Sequence, residues 1–227
     1  MLAKTQSAFL LHSRPYKEHQ LLLDFITEHD GKVSAITFTG NSVKSNKKAV
    51  LQPFSPLNIS YKGTSNLKKL ILAEPASKSY AFKGNYLYSG FYLNELMVRL
   101  LGELIPCQHL YFQYQQSLTA LNEQENIEII LRNFELVLLE ELGQTIDFSE
   151  LEIPRISHYY YIAEQGFVPA INKLNQPCYD KQHLLAIASQ DFSNKEVLYS
   201  FKLLMRQIMA PILGNKPLHS RKLFTKK

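Results

Sequence analysis

The spacing of apolar residues changes character once along this chain. Up to about residue 75 they alternate with polar residues over short runs, and beyond about residue 84 they recur at three and four. The first spacing belongs to strands and the second to helices. Thr5 to His12 is a β-prone run followed by the turn-like Ser13-Arg14-Pro15. Glu18 to Glu28 sets Leu21, Leu23 and Phe25 on one face and Leu22, Asp24 and Ile26 on the other, the two-sided pattern of a barrel wall. Asp30-Gly31 then joins this run to Val33–Thr39, a strong hairpin signal. Leu57 to Tyr61 and Lys68 to Glu74 supply a fourth and a fifth strand. Five short strands closed by turns predict a small barrel of the oligonucleotide-binding (OB) type, with an SH3-like barrel as its competitor.

In the second part, Leu93, Leu96, Met97, Leu100, Leu101 and Leu104 mark one stripe of a helix that Pro106 ends. Leu110–Leu121 predicts a second helix. Asn126–Leu142 predicts a third, with Ile127, Ile130, Leu131, Phe134 and Leu138 inward and Gly143 as its stop. The tyrosines at 159 to 161 and Gly166-Phe167-Val168-Pro169 predict a hairpin within an irregular insertion at about 150–180. Lys181–Ser189 predicts a short helix, and Lys195–Leu213 a long one carrying Val197, Phe201, Leu204, Ile208 and Ile212, closed by Pro211 and Gly214. The fold class predicted is α+β. A five-stranded OB barrel over residues 1–80 precedes an α-helical domain over 81–227 with a small inserted β-hairpin.

Charge sharpens this division. Residues 1–80 carry 11 basic and 5 acidic side chains, residues 81–150 carry 3 and 10, and residues 151–227 carry 11 and 5. A basic, acidic, basic order predicts separate surfaces for separate partners. Two cysteines, Cys107 and Cys178, make neither a disulfide framework nor a four-cysteine zinc set, which fits a reducing compartment. The apolar run in MLAKTQSAFLLHS is too short for a secretory signal and no run reaches membrane-span length, so the expectation is a soluble cytoplasmic, nucleoid-associated protein with no membrane role.

Motifs for catalysis are missing: there is no phosphate-binding G-x-x-x-x-G-K-[ST], no G-x-G-x-x-G, no H-E-x-x-H and no G-x-S-x-G. The seven histidines are scattered, without a pair at i, i+4, so neither a metal nor another cofactor is expected. Binding remains. The connector between the third and fourth strands carries Lys44, Lys47 and Lys48 between Gly40-Asn41-Ser42 and Pro53–Pro56, which predicts a mobile basic loop rather than a helix face. Lysines held on a β scaffold suit a phosphate backbone. Lys68 and Lys69, then Arg14, are the next candidates for DNA contact. For each of them the plainer reading is a lysine or arginine that keeps the surface soluble. Tyr159 to Tyr161 suit base stacking or, more ordinarily, packing. The carboxylates at Glu123, Glu125, Glu128, Glu140 and Glu141 are read as a solvated helix face; a metal-dependent nuclease built on them is the weakest alternative.

Four segments in order resemble the RecO family of DNA repair and recombination mediators: GKVSAITFTGNSVKSNKKAVLQPFSPL, FYLNELMVRLL, RNFELVLLEELGQTIDF and ILGNKPLHSRKLF. The resemblance spans nearly the whole chain. It implies a non-enzymatic protein that binds single- and double-stranded DNA and anneals complementary strands. It also implies help in loading recombinase onto DNA coated by single-stranded DNA-binding protein, and RecR as a partner. Many relatives carry two C-x-x-C pairs in the inserted hairpin, whereas here HYYYIAEQGFVPAINKLNQPCYD keeps only Cys178, so tyrosine packing in place of zinc is expected. Cys107 reads as a small buried hydrophobe. The acidic, apolar C-terminal tail of single-stranded DNA-binding protein needs an apolar groove beside a cation, for which Arg132, Arg99 and Arg206 are the candidates. The plainer reading of Arg132 is an exposed pair with Glu128. The alternative function is an RNA-binding or protein-interaction adaptor built on an OB barrel.

Overall fold

The computed structural model describes residues 5–38 and 47–224. Two compact units form: residues 1–127 with 217–227, and residues 128–216. The helical pattern begins near residue 84, yet the first two long helices belong with the barrel.

The first unit is built on five strands, β1 (Gln6–Tyr16), β2 (Gln20–Thr27), β3 (Gly31–Phe38), β4 (Pro56–Lys62) and β5 (Lys68–Pro75). They close in the order β1-β2-β3-β5-β4, with β4 pairing back on β1. All neighbours are antiparallel except β3 and β5. Alternation does what it predicts: Ala8, Leu10, Leu23, Phe25, Ala35, Leu57, Ile59 and Leu70 fill the interior. β1 does not stop at Ser13-Arg14-Pro15 but runs on to Tyr16. β4 covers only Gln6 to Phe9, so Pro15 lies where one edge of β1 is unpaired and a missing N–H costs no ladder bond. Between β3 and β4, Lys47–Val50 forms one helical turn, α1. Lys47 and Lys48 therefore lie in a helix, contrary to the loop expected; Lys44 lies outside the described residues.

Helices α2 (Gly84–Leu100) and α3 (Gln108–Asn122) pack on this barrel. A bulge in β1 between Leu10 and His12 takes Leu11 out of register, and the Leu11 carbonyl accepts from Asn94 Nδ2 of α2 at 3.0 Å. Tyr114 of α3 donates to Asn94 Oδ1 at 2.6 Å, and all three residues are buried. This chain of hydrogen bonds gives each of the polar groups it joins a partner, so the bonds offset the cost of burying them and fix both helices. Burial pushes the Tyr114 phenol well up, and burial with the nearby Glu28 carboxylate pushes Tyr111 up to about 12. α2 ends at Leu100, six residues before Pro106, and Leu104 lies beyond it with its N–H on the Lys32 carbonyl. Gly31 has φ +66, and a Cβ there would meet the Ile105 carbonyl oxygen at 1.8 Å, so the hairpin glycine is also a docking point for this connector. Cys107 is buried, as a small hydrophobe would be.

The second unit contains α4 (Ile127–Glu141), a three-stranded sheet of β6 (His158–Ile162), β7 (Gly166–Pro169) and β8 (Cys178–Asp180), and helices α5 (Lys181–Ala188) and α6 (Lys195–Leu213). The insertion is thus a sheet of order β7-β6-β8, one strand more than the hairpin expected. Tyr159, Tyr160, Phe167 and Tyr179 are buried, and Tyr179 donates to Gln207 Oε1 at 2.7 Å while Gln207 returns a bond to the Tyr161 carbonyl. The tyrosine run packs. Asp180 and Asn194 cap α5 and α6, each accepting a backbone N–H two residues on. α6 has the bounds its spacing predicts, with Pro211 inside its last turn and Gly214 at φ +65 just past the end.

Candidate nucleic-acid interface

Directly paired residues share a face of a sheet. Leu23 and Ala35 point into the barrel, so the neighbouring pairs point out, and the ladders join them into rows. One row runs Arg14, Leu22, Ile36, Lys69 and Lys62 across β1, β2, β3, β5 and β4. The row beside it runs Tyr16, Gln20 and Phe38. Arg14, Lys62, Lys69 and Phe38 are exposed, Tyr16, Gln20 and Ile36 are half-buried, and Leu22 is buried beneath them. At the other end of the same strands the outward residues Phe9 and Ile26 are buried, Phe9 edge-on to Tyr114 with ring centroids 5.3 Å apart. The helices therefore cover one end of the wall and leave the other bare.

The bare end carries the two hairpin tips that frame the usual ligand face of an OB barrel, the β1–β2 and β4–β5 loops. The first turns through Lys17 and His19 at positive φ, with Lys17 Nζ 5.5 Å from the centroid of the Tyr16 ring. In the second, Lys62 and Lys69 stand directly opposite each other across antiparallel strands. Like charges in that position destabilise the pair. A row that keeps this repulsion and adds Arg14 is suited to a polyanion, whose phosphates would remove it. Lys68 is different. It pairs with Ala35, so it turns toward the barrel mouth, and its Nζ donates to the Gly63 carbonyl at 3.2 Å, bracing the β4–β5 tip.

Of the residues singled out from sequence, Arg14 and Lys69 come together on one row and Lys68 supports it. Lys62, Tyr16 and Phe38 were missed. Nothing in local composition marks them; only the register, read from the hairpins inward, places them beside Arg14.

The three arginines divide between the units. Arg99 of α2 is half-buried, 3.8 Å from Glu95 and 3.4 Å from the Pro217 carbonyl. Arg132 is only 6% exposed and is ion-paired with Glu135 on its own helix, while Glu128 pairs with Lys202 instead. The exposed Arg132–Glu128 pair expected from spacing gives way because both Arg132 and Glu135 face inward, and a buried charge needs a buried partner. Arg206 is exposed on α6.

Among the described residues no cluster of three or more His, Cys, Asp or Glu could hold a metal, and no helix is long and apolar enough to cross a membrane. The C-terminal segment docks on α2. Glu95 accepts the backbone N–H groups of His219 and Ser220, both at 2.8 Å, and the Ser220 hydroxyl at 2.7 Å. Burial alone would raise the Glu95 carboxyl, but these bonds outweigh it and hold it below its ordinary value. Arg221 and Lys222 thereby join the barrel's unit as exposed cations.

Comparison with known proteins agrees with this architecture. The family model described as "Recombination protein O N terminal" matches residues 1–78, and "Recombination protein O C terminal" matches residues 82–171. Proteins named DNA repair protein RecO are similar along almost their whole length. That of Haemophilus influenzae is 40% identical over 99% of this chain and 97% of its own, and that of Mannheimia succiniciproducens is 39% identical over 95% and 97%. The Psychromonas ingrahamii protein is 39% identical over the full length of both. With a closed five-stranded barrel at its start, helices after it, and both family models matched in order, this chain belongs to the RecO family.

Proposed function

We propose that this protein is a DNA repair and recombination mediator that binds single- and double-stranded DNA and anneals complementary strands without catalytic chemistry. The observation that carries this reading is the row of Arg14, Lys69 and Lys62 on the uncovered end of the barrel, with its two lysines in direct opposition. The name shared by its relatives, DNA repair protein RecO, supports the biological setting. Cations on the wall neutralise phosphates of each strand, which lowers the repulsion opposing pairing; annealing then requires only proximity. Lys44, Lys47, Lys48 and the exposed Arg221 and Lys222 add further positive charge to the same chain.

In this reading the protein acts on DNA coated by single-stranded DNA-binding protein, helps load recombinase there and works with RecR. Of the three arginines proposed for the acidic tail of the coating protein, Arg206 has the exposed head, whereas the charge of Arg132 is matched by Glu135. The test is annealing of complementary oligonucleotides precoated with single-stranded DNA-binding protein, without nucleotide or added metal. The native chain anneals them, an Arg14/Lys62/Lys69 to glutamine variant does not, and a Lys44/Lys47/Lys48 to alanine variant measures the share of the connector. A native chain that neither anneals nor binds DNA contradicts the proposal.

A further inference from the structure

The row beside the cations ends in Phe38, at the last position of β3. Phe38 is 52% exposed, while Phe9 and Phe25, the other phenylalanines on the barrel strands, are buried. A single exposed apolar side chain is ordinary. The setting here is not. On the outward face Phe38 continues the apolar line of Leu22 and Ile36, with Gln20 and Tyr16 beside it. That line is bordered by Arg14 on one side and by Lys69 and Lys62 on the other. The strand spacing puts Arg14 and Lys69 about 14 Å apart along the wall. An exposed apolar ring one row along the wall from a line of cations matches a ligand that has a flat apolar face and carries anions beside it.

We propose that Phe38 is a stacking platform for an unpaired nucleobase of single-stranded DNA. Gln20 stands beside it to reach a base edge with its amide, and the flanking phosphates lie on Arg14, Lys69 and Lys62. The inference rests on the DNA-binding reading above and deepens it. The cations bind any phosphate backbone, and Phe38 makes the bare face prefer strands whose bases are unstacked, because a base already paired offers its face to its neighbours. Preference for the single strand thus comes from one side chain, separately from the charge that provides general affinity.

The sequence contains no tryptophan, so Phe38→Trp installs a sole indole fluorophore at the proposed contact. A thymidine oligonucleotide, an abasic oligonucleotide of the same length and a duplex serve as probes. Three results are expected. Phe38→Ala weakens binding of the thymidine oligonucleotide roughly 5- to 150-fold, the range of one lost base stack. It leaves duplex and abasic binding within about twofold and the salt slope unchanged, because no phosphate contact is lost. Phe38→Trp keeps native affinity, and its emission is quenched by the thymidine oligonucleotide but not by the abasic one. Phe38→Ala binding the thymidine strand as the native chain does overturns the inference. So does an equal loss on all three probes, or indole emission from the Phe38→Trp variant that stays unquenched at saturation. Those outcomes leave the DNA-binding reading standing if the native chain binds DNA with a salt-dependent affinity; a native chain that binds no probe removes both.

Discussion

The two ends of the barrel wall are made from the same strands and have opposite fates. At the end of β1 held by β4, outward Phe9 is buried against Tyr111 and Tyr114 of α3; toward Tyr16, outward Arg14 is exposed and Tyr16 half-buried. At the covered end a polar group must find a protein partner, and the Leu11–Asn94–Tyr114 chain shows the cost being met with well-aligned bonds. At the bare end Lys62 and Lys69 face each other across the ladder, which tolerates the opposition. One end is optimised for folding and the other is not. Where folding is not optimised, a ligand is the ordinary reason.

This contrast can be broken from either end. The largest effect is expected at the covered end: Tyr114→Ala removes a fully buried ring and strands Asn94, costing about 3–5 kcal/mol of stability in denaturant unfolding. The same variant, studied where it is folded, should bind DNA as the native chain does. At the bare end, replacing Arg14, Lys62 and Lys69 together with glutamine should weaken single-strand binding about a hundredfold near 0.1 M salt, with each lost phosphate contact worth about fivefold there. Stability should barely move, since all three side chains are exposed.

A smaller, local effect concerns the C-terminal segment on α2. Glu95 is held below its ordinary value of 4.5, so its clasp on His219 and Ser220 is complete above that pH and is lost as pH falls through the lower folded value. Amide exchange at Ser220 should rise in acid, and Glu95→Gln should raise it already at neutral pH. The smallest effect sharpens the comparison most. Lys62→Gln should stabilise the barrel by a few tenths of a kcal/mol, by relieving its opposition to Lys69, while weakening DNA binding about fivefold. A substitution at the covered end cannot give that combination of signs.

Much of the scaffold was legible in the sequence because its signals are local. The two faces of Leu21–Ile26, the Asp30-Gly31 turn and the Gly214 stop of α6 each lie within a few residues, and each produced the element expected. The candidate interface was legible only in part. Arg14 and Lys69 could be named as cations, but that they share a row depends on three ladders through the two strands between them, and Lys62 and Phe38 enter only through that register. Pro15 misled because a proline in a strand is harmless at an unpaired edge, and which edge is unpaired is decided by β4, about forty residues on. Arg132 misled for a related reason: helical spacing gives the face a residue occupies, but Glu135 on the same inward face is what makes burial of an arginine tolerable.

The most direct measurement is the salt dependence of single-stranded DNA binding, compared between the native chain and the Arg14/Lys62/Lys69 to glutamine variant. If the three side chains each neutralise one phosphate, the slope of log K against log salt should be shallower in the variant by about 2. Equal slopes in the two proteins would contradict the assignment of the bare end of the barrel as the DNA-binding surface.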